Sequence, residues 1–105
     1  MNRGGNKYGA IKTEYAGVIY DSKKEAGRAR ELDLWLKTGE ITGLERQVKF
    51  PIIINGVKVF TYIADFTYYY KGQQVIEDVK GMRTQIFNLK KKCVEAQYGV
   101  KINLI

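Results

Sequence analysis

Apolar positions along the chain follow two different periods. From Lys23 to Lys37 the residues are helix formers, and Ala29, Leu32 and Leu36 fall within about 40° of Glu25 on a helical projection. Ser22, followed three residues later by Glu25, forms a capping box before this run, and Thr38-Gly39 supplies a left-handed stop after it. The pattern therefore predicts a helix over 23–37 with Glu25 on its core-facing stripe.

The middle of the chain reads as strands. Ile41–Ile54 carries Leu44, Val48 and Phe50 near one face, with Pro51 limiting the ladder, and Asn55-Gly56 marks a tight turn. Val57–Tyr70 is strand-like and strongly aromatic, and Lys71-Gly72 turns it into Gln73–Lys80. These three runs predict an antiparallel meander. Thr84 caps a second helix to about Gln97, with Ile86, Leu89, Cys93 and Ala96 as its expected buried stripe and Gly99 as its stop. Val100–Ile105 offers a last strand that, after a crossover helix, is able to pair in parallel with an earlier one. Lys12–Tyr20 suggests a short strand or hairpin. Residues 1–12 mix Gly, Asn and basic residues without period, which predicts a flexible basic arm ahead of a single domain over 13–105. The expected class is α/β: a mixed sheet containing an antiparallel meander, flanked by two helices.

Composition narrows the chemistry. Eighteen Lys and Arg against eleven Asp and Glu leave a formal charge of +7 on 105 residues, which favours a polyanionic partner, nucleic acid first. The absence of histidine excludes imidazole bases and histidine metal ligands. One cysteine, Cys93, permits neither an internal disulfide nor a Cys-rich zinc site, and no apolar run reaches the length of a membrane span. The expected location is cytoplasmic.

Carboxylates and lysine remain. Asp65 and Asp78 fall near facing ends of adjacent predicted strands, and strand alternation sends Asp78 and Lys80 to one side, Glu77 and Val79 to the other. Two carboxylates converging from neighbouring strands suit a hard divalent cation such as Mg²⁺, and a nearby lysine is placed to orient a water. Taken by themselves, Asp65 and Asp78 read more readily as ordinary surface acids at strand ends paired with Lys or Arg. A one-residue bulge would exchange Glu77 for Asp78.

The order strand-Asp, hairpin, strand-Asp-X-Lys, helix, preceded by a helix bearing a glutamate, resembles the PD-(D/E)XK nuclease superfamily. Ser22-Lys-Lys-Glu25-Ala, Leu44-Glu45-Arg-Gln47, Ala64-Asp65-Phe66 and Glu77-Asp78-Val79-Lys80-Gly81 are similar, more narrowly, to small phage and prophage endonucleases related to Holliday-junction resolvases. Ala64 stands where the superfamily name has proline. The resemblance implies a restriction-endonuclease-like core and Mg²⁺-dependent hydrolysis of DNA, with Mn²⁺ as a substitute. Branched or junction DNA would be the substrate, and the products would carry 5′-phosphates. It further implies that Asp65, Asp78 and Glu25 bind the metal, that Lys80 positions the water, and that the protein is a two-fold homodimer acting in DNA recombination, in the bacterial host's cytoplasm if phage-encoded. Glu25 has two competing roles at this point, metal ligand or partner of the Ser22 amide. Glu45 and Gln47 lie at the site's edge by the same similarity, although a half-exposed strand also accounts for them.

Arg83 and Thr84, at a helix N-terminus, and Lys91 and Lys92, off the expected apolar stripe, are candidate phosphate contacts. The run Tyr68-Tyr69-Tyr70 serves either to stack on exposed bases or to cover a twisted sheet. The contrasting functional reading keeps the same fold as a non-catalytic nucleic-acid-binding module, or as an accessory protein that binds a host protein.

Overall fold

Helix α1 covers Lys23–Lys37, the span predicted. The Ser22 hydroxyl accepts the Glu25 N–H at 3.1 Å, and Gly39 stops the chain at φ +84°. The computed structural model describes residues 11–79 and 83–105. Most of the basic arm expected over 1–12 thus lies outside the described residues, as does Lys80.

Three hairpins follow from three two-residue turns. Strands β1 (Thr13–Tyr15) and β2 (Val18–Tyr20) are joined by Ala16-Gly17, β3 (Thr42–Ile54) and β4 (Val57–Tyr70) by Asn55-Gly56, and β4 and β5 (Gln73–Asp78) by Lys71-Gly72. Both residues of each turn have positive φ, the geometry that matches the twist of paired strands. Helix α2 (Gln85–Tyr98), capped by Thr84 and closed by Gly99 at φ +64°, leads to β6 (Ile102–Leu104). β1 and β2 form their own sheet. The other four strands are ordered β3-β4-β5-β6, antiparallel except for β6, which runs parallel to β5. The α/β class, the meander and the parallel last strand are as the sequence pattern predicts. Among the described residues no helix is long and apolar enough to cross a membrane.

Each face of the four-stranded sheet carries one core. Ala26, Ala29 and Leu32 of α1 pack with Tyr20, Ile41, Phe66 and Tyr68; Val94 of α2 packs with Phe50, Ile52, Tyr62, Ala64, Ile76 and Ile102. Val75 of β5 and Val79 just past its end join the first core and Ile76 of β5 the second, so alternation along the chain separates them. On β4 the alternation slips: Tyr62 and Ala64 face α2, whereas Phe66 and Tyr68 face α1. The slip falls at Asp65. Gln47, the residue of β3 between those paired with Ala64 and Phe66, has φ +55°. The two long strands change face together at this point.

Helix α2 departs from its expected orientation. Ile86 and Leu89 are 61% and 60% exposed, Ala96 is exposed and Cys93 only half-buried, while Val94 is fully buried. The helix also meets edge strand β3. The amide of Gln97 donates to the Pro51 carbonyl at 2.9 Å and its oxygen accepts the Ile53 N–H at 2.9 Å, while the Tyr98 hydroxyl donates to Pro51 at 2.7 Å. Unpaired backbone groups on that edge need partners. Gln97 and Tyr98, at the exposed C-terminal end of the helix, bind them, while Phe87 and Val94 face the core and Ile86 and Leu89 stay outside.

Candidate active site

Register brings the two predicted aspartates together. Phe66 of β4 pairs with Glu77 of β5 at the end of that ladder, and Asp65 and Asp78 are the residues that flank this pair, near enough for their side chains to interact. They share a side-chain hydrogen bond. The Val79 N–H donates to Asp65 Oδ2 at 2.8 Å, and the Tyr62 hydroxyl donates to Asp78 Oδ2. Asp78 is buried and Asp65 half-buried. Burial, then the hydrogen bond to Asp78 and the charges of Asp78 and Glu25, push the Asp65 carboxyl up to about 8, against the opposing pull of the Val79 amide. Burial and the hydrogen bond to Asp78 raise Tyr62, which stays a donor at neutral pH.

Glu77 turns to the opposite face. Its carboxylate accepts from Arg28 Nε at 2.8 Å and Nη2 at 2.6 Å, and from the Tyr68 hydroxyl. Arg28 Nη1 also donates to Glu31 at 3.0 Å, and the guanidinium lies 4.9 Å from the Trp35 ring centre. Each partner shifts accordingly: Arg28 moves up, chiefly through its bond to Glu77, and Tyr68 moves up to about 12 through burial and then that same carboxylate. Of the tandem acids, Asp78 faces Asp65 and Glu77 is consumed in a buried ion pair.

Glu25 approaches from the first turn of α1 and is 5% exposed. Burial and the charge of Asp21 raise its pKa, while Arg46 and a hydrogen bond from the Asp21 backbone lower it. The capping partner of its carboxylate is thus Asp21, not the Ser22 amide expected. Glu25 also feels the charge of Asp78. No group of three or more acidic or cysteine side chains among the described residues converges tightly enough to hold one ion. The close pair is Asp65 with Asp78, and Glu25 stands behind it.

The remaining candidates divide. Arg83 and Thr84 are exposed at the start of α2, with the Thr84 hydroxyl accepting the Phe87 N–H at 3.0 Å. Thr84 and Tyr62 line a common cavity of about 380 Å³, which puts this helix start beside the residue that holds Asp78. Lys92 is exposed. Lys91 does not project freely: its ammonium pairs with Glu95 at 3.0 Å, and Glu95, lowered mainly by the Ile102 N–H it accepts, ties helix to strand β6. Tyr68 is core, whereas Tyr69 and Tyr70 are 47% and 39% exposed. Glu45 is exposed, and Gln47 lines a cavity with Glu25 and Arg46.

Three residues at or behind the site escape the sequence pattern: Tyr62, Arg28 and Arg46. Arg28 was discoverable, because it lies one helical turn from Glu25 on the same helix. Tyr62 and Arg46 depend on the face change at Asp65 and Gln47, which no alternation pattern announces.

Residues 5–105 match the family described as Protein of unknown function (DUF1064). No curated protein and no solved structure matches the chain.

Proposed function

The chain belongs to the DUF1064 family, and we propose that it is a metal-dependent DNA endonuclease acting on branched DNA. The observation that carries this reading is the meeting of Asp65 and Asp78 on adjacent strands, with Glu25 close enough for its charge to act on Asp65.

The donor set fits a hard divalent cation. Mg²⁺ is commonly held by one or two carboxylates and otherwise by water and substrate phosphate, and two buried like charges gain most from a cation between them. Asp65 and Asp78 would hold it, and Glu25 would add its negative charge nearby. The cation would supply charge stabilisation for a phosphodiester under attack and lower the pKa of water. Tyr62 and the Val79 amide each fix one carboxylate oxygen, so the acids are oriented before any ligand arrives. By the resemblance drawn from the Asp78-Val79-Lys80 run, Lys80 would orient the attacking water. Arg83 and Lys92, both exposed on a chain of net charge +7, would meet backbone phosphates without reading bases.

The test is cleavage of linear, flapped, single-stranded and four-way DNA with Mg²⁺ or with EDTA. Mg²⁺-dependent nicking of branched substrates, lost by several orders of magnitude in Asp78→Asn and Lys80→Ala while DNA binding persists, is the expected result. Binding without cleavage in the wild type would favour the non-catalytic module, and undiminished cleavage in both variants would remove the assigned site.

A further inference from the structure

Two arginines stand beside buried glutamates, and they are used differently. Arg28 spends its donors on Glu77 and Glu31. Arg46 approaches Glu25 only to 4.0 Å, beyond hydrogen-bond distance, and its guanidinium donates no hydrogen bond among the described residues. What holds Arg46 is stacking: its guanidinium carbon lies 4.5 Å from the ring centre of Tyr20, itself packed on Phe66. Its side chain is 35% exposed, against 14% for Arg28. The guanidinium edge therefore opens on a cavity of about 200 Å³, lined by Ile19, Asp21, Glu25, Arg46 and Gln47. At roughly 30 Å³ per water, that space takes about six waters or one phosphate group with its nearest waters.

We infer that Arg46 is the phosphodiester-binding residue of this site, and that it becomes competent only after a divalent cation has bound. The inference rests on the endonuclease reading and adds an order of events to it. A planar fork of donors with no acceptor of its own, held in place by an aromatic ring, suits bidentate recognition of a phosphate. Glu25 and Asp21 line the same cavity, and Glu25 is near enough to Asp65 and Asp78 for their charges to act on one another. An anion entering the cation-free site meets these carboxylates and is repelled. Asp65 and Asp78 would hold the cation, whose charge would offset the acids, so that Arg46, only 4.0 Å from Glu25, would be left free to bind an anion. Gln47, on the wall beside it, adds a neutral donor.

The experiment measures affinity for a fluorescently labelled four-way DNA with EDTA or with Ca²⁺, in wild type, Arg46→Met, Arg46→Lys and Lys58→Met. Arg46→Met keeps an unbranched stem against Tyr20 and removes the fork. Calcium uptake is read separately, as the shift in Tm without DNA. In the wild type Ca²⁺ tightens binding by about tenfold or more, the gain expected from a charge-assisted contact. Arg46→Met loses that gain yet keeps the calcium-induced Tm shift, and Arg46→Lys recovers only part of it. Lys58→Met, an exposed cation near the start of β4 and outside the cavity's lining, changes affinity by the same factor with and without Ca²⁺. Full calcium enhancement in Arg46→Met overturns the inference and leaves the endonuclease reading standing. A wild type whose Tm responds to neither Ca²⁺ nor Mg²⁺ overturns both.

Discussion

The hydroxyl of Tyr62 donates to the buried carboxylate of Asp78, sixteen residues further along the chain and on the neighbouring strand. Tyr62 is itself 5% exposed and its ring sits near Phe87 of α2, so one side chain ties a sheet face, a helix and a candidate ligand together. Tyr62→Phe keeps the packing and deletes the donor, leaving a buried acid one bond short. The expected cost is about 1–3 kcal/mol in cation-free stability, seen as a lower urea midpoint, together with weaker Mg²⁺ binding by calorimetry. An unchanged midpoint and an unchanged affinity would show that the hydroxyl contributes nothing to Asp78.

Asp65 gives the cation-free protein a pH dependence of defined sign. Its folded-state pKa, pushed to about 8, stands above the unfolded value of about 4. Between those two values the native state keeps a proton that the unfolded chain releases, so stability is greatest below about pH 4 as far as this group is concerned and is lost as pH rises toward 8. Urea midpoints measured with EDTA should fall across that range. Asp65→Asn should flatten the slope and stabilise the protein at pH 8, while abolishing the Tm increase that Mg²⁺ gives the wild type there. A midpoint that rises over this interval in the wild type, and not in Asp65→Asn, contradicts the assignment.

Glu77 and Arg28 separate stability from chemistry within a tandem pair of acids. Removing one partner of a buried ion pair strands the other, so Glu77→Leu alone should cost about 3–5 kcal/mol, or more than about 10 °C in Tm. Arg28→Met with Glu77→Leu restores much of that loss, because an apolar pair of similar volume needs no charge partner. The double variant should still cleave DNA, whereas Asp78→Asn should not. Loss of cleavage in a folded double variant would transfer the metal-binding role to Glu77.

These expectations show where the sequence was sufficient. Helix α1, the Asn55-Gly56 and Lys71-Gly72 turns, the meander and the parallel last strand all follow from caps, turn pairs and local period, which are properties of neighbouring residues. The convergence of Asp65 and Asp78 was legible for the same reason, since the Lys71-Gly72 turn fixes the register between their strands. What the pattern missed is non-local. Tyr62 and Phe66 have the same parity on β4 yet face opposite cores, because the strands change face at Asp65 and Gln47. Arg46, two residues from Leu44 and next to Gln47, reads as an ordinary exposed strand position until that change and the Tyr20 hairpin are in place. Lys91 likewise loses its solvated role to Glu95, whose other oxygen-bonded partner is on β6.

The orientation of α2 provides the last test, because its sequence carries two stripes at helical spacing. Ile86, Leu89, Cys93 and Ala96 form one, and Phe87 and Val94 the other. Hydrophobicity alone favours the first, but Phe87 and Val94 face the core, and in that orientation Gln97, which lies between the two stripes, bonds the Pro51 carbonyl and the Ile53 N–H on the open edge of β3. The two orientations make opposite predictions for stability. With the second stripe inward, Leu89→Gln and Ile86→Gln exchange exposed side chains for another good helix former and should shift stability by no more than about 0.5 kcal/mol. Val94→Ala opens a hole beneath a fully buried residue and should cost about 1–3 kcal/mol. Gln97→Ala leaves the Ile53 N–H without its side-chain partner and the Pro51 carbonyl with Tyr98 alone, and should cost about 1 kcal/mol, visible also as faster amide exchange at Ile53. Large losses from Leu89→Gln with little effect from Val94→Ala and Gln97→Ala would mean that the helix is rotated by about a quarter turn or more, with the stripe chosen by hydrophobicity facing the core.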